Sequence, residues 1–261
     1  MLVNVQNPTT TTYRNQINSM RNTIDNKCNS LWSIISEAHS FTSKFTKSFE
    51  VHHTTLPTMY TQIKTHKIDP EINPSDLDIH DFKTRPIVSC CGSPTEKLAW
   101  IISHIIKPLL QHVPCHLFNI HSHLETTLRS IPPEELVGLK IYSADIAALY
   151  TNLSIEQCIN DIIAMSEEYW NELDTFGITL SELHQLLEVV FYNSYFTFNQ
   201  KLYQQCVGLF MGCSPSPAAA VIRVYTFEKN SIYIHSFYLS GIWMIICQRH
   251  LIWSTHKRLL A

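Results

Sequence analysis

KIYSADIAALYTNL, Lys140 to Leu153, is the stretch whose reading decides the fold. Its first half is apolar and rich in strand formers, with one acidic residue, Asp145. Strand alternation puts Ile141, Ser143, Asp145 and Ala147 on one face and Tyr142, Ala144, Ile146 and Ala148 on the other. A carboxylate on a mostly buried strand is costly unless it is paired, and a metal ion is one such partner. A core strand whose Asp bonds backbone at a bulge explains the stretch equally well. Tyr150 follows five residues later, and Thr151-Asn152 turns the chain.

Working outward, Pro132-Pro133-Glu134-Glu135 begins a short helix that ends at Gly138. Downstream, Ser154 with Gln157 and Thr179 with Glu182 read as capping boxes of two amphipathic helices. Ile155, Cys158, Ile159, Ile162 and Ile163 line the first helix, and Leu180, Leu183, Leu186, Leu187 and Val190 the second. NSYFTFNQKLYQQ alternates about an Asn199-Gln200 turn and predicts a hairpin. It leads into CVGLFMGCSPSPAAA, a Gly/Ser/Pro loop that opens a helix near Pro215 or Pro217.

Upstream, residues 1–15 are polar, and residues 16–47 carry a helical stripe of Ile17, Met20, Ile24, Cys28, Leu31, Ile34 and Ile35. LPTMYTQIKTHK, Leu56 to Lys67, reads as an extended basic segment. Ile68 to Lys83 is acidic and Pro-containing, hence a loop. Arg85 precedes Pro86 and is biased to extended backbone; Ile87-Val88 continue a short strand. Ser93, Pro94 and Glu96 predict a capped helix to about Leu110, buried along Leu98, Ile101, Ile102, Ile105, Ile106 and Leu109. The Cys/His run from Gln111 to His123 matches no zinc-ligand spacing.

Composition sets the outer bounds. The 261 residues are 45% hydrophobic and 16% charged, which excludes a disordered polyelectrolyte and allows a real core. The net charge of −3 argues against a free-standing nucleic-acid binder and leaves any such contact to local basic clusters. The 8 Cys form no CxxC pairs, and the N-terminus lacks the apolar core of a signal peptide, so reduced thiols in an intracellular protein are expected. SFYLSGIWMIIC is too short to span a bilayer, so no membrane role is expected.

In this order, LPTMYTQIKTHK, RPIVSCCGSPTEKLAWIISHIIKPLL, SADIAALYTNLSIEQ and NSYFTFNQKLYQQCVGLFMGCSPSPAAA resemble the fingers and palm of reverse transcriptases, specifically those of Penelope-like retroelements. RPIVS-x-x-GSPT together with LYTN carries most of the specificity. The resemblance implies an α+β fold, a right-handed polymerase fingers–palm incomplete at its C-terminus. It divides the chain into a helical lead-in (1–55), a fingers-like segment (56–135), a partial palm (136–229) and a divergent or out-of-frame tail (230–261). The implied activity is RNA-templated DNA synthesis from a primer. Its partners would be an RNA template, a DNA primer and deoxynucleoside triphosphates, its cofactor Mg2+ and its location the nucleus.

The family's site residues map onto this sequence as follows. Asp145 matches the first palm aspartate, a ligand of two catalytic magnesium ions. Ile146 matches the residue whose carbonyl faces the metal-bound triphosphate. Tyr150 matches the aromatic residue that stacks under the incoming sugar and excludes a ribose 2′-hydroxyl. Arg85, Lys64 and Lys67 match fingers residues that contact triphosphate and template. Gly212, with Met211, Ser214 and Pro215, matches the loop that lies against the template-primer. Taken singly, the lysines also read as solvated charges, Arg85 as half of an ion pair, Tyr150 as core and Gly212 as the end of the hairpin.

One departure is decisive for activity. The family's next motif carries two consecutive aspartates about thirty residues beyond the Gly-rich loop, and here no Asp follows Asp174. One palm aspartate does not hold two metal ions, so the chain is expected to be catalytically dead. No thumb and no GIY-YIG endonuclease are expected within it either. At the expected place stands Gly241-Ile242-Trp243-Met244-Ile245. Trp243-Met244-Ile245 is encoded TGG ATG AT, which read from its third base gives GAT GAT, Asp-Asp. The codons before it allow Arg-Tyr-Met in the same frame. A frameshift between about Glu228 and Ser240 follows as the expectation, with a tail that has no evolved structure and poor solubility for the chain. A non-catalytic nucleic-acid-binding remnant and an unrelated α/β interaction module are the competing readings.

Overall fold

The computed structural model describes residues 2–4, 10–65, 68, 73, 76–113, 125, 129, 140–146, 148–230 and 243–248; of these, 2–4, 10–12, 79, 140–145, 230 and 243–248 are described by backbone alone. Lys67, the short helix after Pro132 and most of the Cys/His run lie outside the described residues. The fold is α+β. It forms two compact units, residues 1–109 with 148–220, and residues 110–147 with 221–261.

The first unit is built on a mixed five-stranded sheet. The strands are β1 (Leu2–Asn4), β2 (Thr58–Ile63), β3 (Thr84–Ser89), β5 (Tyr195–Phe198) and β6 (Lys201–Gln205), in the order β1-β6-β5-β2-β3. Neighbours run antiparallel except β2 and β5, which pair in parallel at Thr58–Thr197. Its helices are α1 (Thr10–Ala38), α2 (Ser43–Phe49), α3 (Glu96–Ile106), α4 (Leu149–Asn152), α5 (Ile155–Glu168) and α6 (Leu180–Tyr192). α7 (Ser216–Asn230) begins here and ends in the second unit. The second unit also holds the antiparallel pair β4 (Lys140–Asp145) and β7 (Trp243–Gln248).

The core of the first unit follows the helical stripes. Leu98, Ile101, Ile102, Ile105, Ile106 and Leu109 are fully buried, as their spacing predicts. α6 packs against α1, α3 and α5 through Leu183, Leu186, Leu187 and Val190. Burial, with the Asp25 carboxylate adding to it, pushes the Cys28 thiol up to about 12, so it stays protonated inside α1.

Three local expectations are corrected. The lead-in is not one helix: Ser40 adopts a left-handed φ of 51°, and the Thr42 hydroxyl caps α2 by accepting from the Phe45 N–H. The break folds α2 back, so that Phe41, Phe45 and Phe49 surround the buried Trp32, with ring centroids 5.1 to 6.0 Å from it. Second, Trp32 replaces Ile34 in the buried stripe of α1, because Ile24, Cys28, Trp32 and Ile35 keep the 3.6-residue spacing and Ile34, 65% exposed, falls off it. Third, Ser93 does not cap α3. Two tight turns intervene, Thr95 is the N-cap residue without a side-chain bond, and the Glu96 carboxylate accepts from the Gly92 N–H at 2.7 Å.

In the tail, the described segment Trp243–Gln248 is a strand, paired with β4 so that Trp243 stands opposite Asp145 and Gln248 opposite Lys140. A run rich in Trp, Ile and Cys has the residue types that strands favour, whatever its origin.

The start of α6 is the cap that the sequence predicts in full. The Thr179 hydroxyl accepts from the Glu182 N–H, and the Glu182 carboxylate accepts from the Thr179 N–H at 2.8 Å. His39 lies 2.7 Å from the same carboxylate. Burial would raise the Glu182 acid; the Thr179 bonds and His39 outweigh it and hold it below the ordinary 4.5. A depressed folded value stabilises above the unfolded value and is lost as pH falls through the folded one. Thr179→Ala should therefore cost about 1 kcal/mol at neutral pH in a urea melt. Glu182→Gln should flatten the loss of stability below about pH 4.5. An unchanged acid limb would show that the carboxylate contributes nothing there.

Candidate nucleic-acid interface

The β2–β3 register sorts the basic segment into faces. Tyr60 stands opposite Ile87 and Gln62 opposite Arg85, and the Lys64 N–H closes the ladder on the Lys83 carbonyl at 2.8 Å. Residues directly opposite and two apart share a face. One face of the ribbon therefore carries Tyr60, Gln62, Lys64, Lys83, Arg85 and Ile87 together. The other carries Met59, Thr61, Ile63, Thr84, Pro86 and Val88, of which Val88 enters the core. Tyr60 is 52% exposed, Arg85 and Lys83 are exposed, and Lys64 is half-buried. Among the described residues no carboxylate forms an ion pair with Lys64, Lys83 or Arg85. Such a face offers phosphate donors beside an aromatic ring.

β3 is an edge strand, and the Gly-rich loop closes against it. Gly212, at φ 144°, lies so near β3 that a Cβ there would strike the Val88 carbonyl. The adjoining Cys213 thiol is buried and in hydrogen-bond contact with Cys90 at the end of β3. That contact and burial hold the Cys213 thiol well above its ordinary range, so Cys213 stays neutral at physiological pH. Met211 is half-buried and Ser214 exposed, its carbonyl accepting from the Ser103 hydroxyl at 3.3 Å. Pro215 is buried, and its carbonyl accepts from the Ala219 N–H at 3.0 Å in the first turn of α7.

The same loop is tied to Tyr150. The Leu209 N–H donates to the Tyr150 carbonyl at 2.7 Å, and the Gly208 N–H to the Leu153 carbonyl at 2.9 Å. Tyr150 sits in α4, a single turn entered through Ala148 in a left-handed conformation at φ 52°. Burial raises the phenol of Tyr150 above its ordinary range. The first unit thus connects Tyr150, the Gly208–Gly212 loop and the strand that bears Arg85 through backbone contacts.

Asp145 and Ile146 belong to the second unit, at the end of β4; Ile146 is 43% exposed. Asp145 brings one carboxylate. Opposite β4, β7 brings Trp243, Met244, Ile245, Ile246, Cys247 and Gln248, none of them an acid. Among the described residues no cluster of three or more His, Cys, Asp or Glu is set to hold a metal ion. The described residues of β4 and β7 bring one carboxylate, whereas a pair of magnesium ions requires several oxygen ligands in octahedral geometry.

No protein-family model matches the chain, and no curated protein matches it. Among the described residues no helix is long and apolar enough to cross a membrane.

Sequence reasoning missed Tyr60, Gln62 and Lys83 as members of this face. Lys83 stands two residues before Arg85, and strand alternation places it beside Arg85. The acidic stretch before it reads as a loop and hid that signal. Tyr60 and Gln62 join the face only through a pairing register that spans the loop between β2 and β3.

Proposed function

We propose that the chain is the fingers and partial palm of a reverse transcriptase of the Penelope-like class, in a form that holds template and primer and does not polymerise. The observation that carries the reading is the β2–β3 face, where Tyr60, Gln62, Lys64, Lys83 and Arg85 stand together without a carboxylate partner among the described residues. The order of the motifs supplies the family: basic strand, Arg-Pro strand, Asp strand with a following Tyr, then a Gly-rich loop. Gly212 against β3 and Gly208 against Tyr150 support the reading, because they connect three of those four motifs. In this reading the Arg85 fork and the lysines take backbone phosphates, and Tyr60 offers a ring to an unpaired base. Magnesium and deoxynucleoside triphosphates belong to the ancestral reaction, whose second carboxylate pair this chain lacks.

Anisotropy of a labelled RNA-template/DNA-primer duplex over a salt series tests the proposal. Arg85→Gln and Lys64→Gln should each weaken binding about three- to tenfold and each lower the slope of log affinity against log salt by about one. Salt-independent binding, or variants that match the wild type, would overturn it and leave the interaction-module reading.

A further inference from the structure

A second polar recess lies away from the β2–β3 face, between α1 and the segment that follows α2. It encloses about 460 Å³ and is lined by Arg21, Asn22, Asp25, Asn26, Asn29, Val51, His52 and His53. The helical residues fall on neighbouring turns, so their side chains share one side of α1. Two of them build the wall. Asn29 donates to the Val51 carbonyl at 3.0 Å and accepts from the Val51 N–H at 2.8 Å, pairing with it as a neighbouring strand would. Asp25 accepts from the Thr54 hydroxyl at 2.7 and 2.9 Å.

What remains is donor-rich. Arg21 spends one Nη1 hydrogen on the Thr54 carbonyl at 3.5 Å and one Nη2 hydrogen on Asn22 Oδ1 at 3.0 Å. Its Nε is buried without a hydrogen-bond partner, 4.0 Å from Asp25 Oδ2. That bond engages Asn22 Oδ1, and among the described residues both amide N–H donors of Asn22 stay free. Among the described residues the Asn26 side chain and His53 make no hydrogen bond, and both are exposed to the recess. His53 is held at a left-handed φ of 54°, a conformation uncommon for a side-chain-bearing residue. The charges that face the recess are Arg21 and Asp25, which offset one another; the His52 ring lies 3.3 Å from the Glu50 carboxylate. The free amide N–H groups of Asn22 and Asn26, with the Arg21 fork beside them, suit the acceptor oxygens of a group of phosphate size.

We propose that this recess is a second phosphate-binding site, which takes a backbone phosphate of a single nucleic-acid strand. The strand as ligand rests on the proposed function; the phosphate chemistry does not. Arg21 supplies the charged fork, and Asn22, Asn26 and His53 supply neutral donors.

The test has two arms on the full chain. In the first, inorganic phosphate is titrated while the imidazole NMR signals of His52 and His53 are followed. The wild type should show saturable shifts that Asn26→Asp, whose new carboxylate repels phosphate without removing a structural bond, abolishes. In the second arm, a labelled single-stranded 12-nucleotide RNA is followed by anisotropy. Arg21→Gln and Asn26→Asp should each weaken binding about three- to tenfold, with the salt slope lower by about one for Arg21→Gln. Failure of the wild type to bind RNA, with phosphate still shifting the histidines, would sink the proposed function and keep the recess. RNA binding that survives both variants unchanged, or histidines unmoved by phosphate, would overturn the recess and leave the β2–β3 face untouched.

Discussion

Primer extension by this chain, with magnesium and all four deoxynucleoside triphosphates, is expected to stay at the level of a no-enzyme control. Two-metal catalysis needs carboxylates on both sides of the metal pair, and here β4 brings Asp145 alone. If the chain is the polymerase fragment proposed above, the missing carboxylates leave a charge arrangement that cannot stabilise the leaving pyrophosphate, which removes several kcal/mol of transition-state stabilisation, or on the order of a thousandfold or more in rate. The register adds a sharper form of the prediction. Trp243 stands opposite Asp145, and the codons of Trp243, Met244 and Ile245 encode Asp-Asp when read from their third base. A gene with that frame restored should give a chain that extends the primer, and Asp145→Asn in that chain should abolish extension. Extension by the chain as it stands, lost on Asp145→Asn, would overturn the assignment of a dead site. Genomic sequence across codons 225–250 supplies a separate check. A stop codon beside the Asp-Asp in the shifted frame would remove the frameshift explanation.

The second large effect is structural. Gly208→Ala should cost about 3 to 4 kcal/mol. Gly208 sits at φ 86°, which costs a side-chain-bearing residue about 1–2 kcal/mol. A Cβ there would also stand 2.6 Å from Thr151 Cα and 2.8 Å from Thr151 C, and nearer still to the Tyr150 carbonyl. Those atoms are backbone, so relief requires α4 and the loop to separate. Separation weakens the bonds from Gly208 and Leu209 to Leu153 and Tyr150, each worth about 1 kcal/mol. Gly177 is the internal control. It has the same φ of 86°, but its Cβ would come no nearer than 4.0 Å to His39 or Phe41. Gly177→Ala should therefore carry the conformational cost alone, about 1–2 kcal/mol. Thermal melts of the two variants give the comparison, with Gly208→Ala lower in Tm by roughly 5 °C more than Gly177→Ala. Equal losses would show that the close approach of the loop to Tyr150 is not what the glycine is for.

These two predictions rest on different parts of the chain, and the difference shows what could be read in advance. The Asp145 strand, the stripe of α3, the Thr179–Glu182 box and the Asn199-Gln200 hairpin are local, and each forms as its own residues dictate. The hairpin turn has positive φ at both central residues, 46° and 56°, as a two-residue turn between right-twisted strands requires. Where the reading failed, a contact outside the simple periodic pattern had decided the outcome. Trp32 drew α2 back onto α1 and broke the lead-in helix, and Gly92 with Glu96 rewrote the start of α3.

By itself, then, the sequence determined the strand bearing Asp145, the buried stripes of the helices after Pro94, the hairpin, the order of the motifs and the want of an acidic pair beyond the Gly-rich loop. These depend on residue type and spacing over a few turns of chain. The tertiary structure alone decided that Tyr60, Gln62 and Lys83 join Lys64 and Arg85 on one face, because that depends on a pairing register across a long loop. It also decided why Gly208 and Gly212 are glycines: one meets the backbone of Tyr150 and Thr151, the other that of Val88. A close approach between segments tens of residues apart leaves no periodicity in either of them, so only the folded chain reveals it.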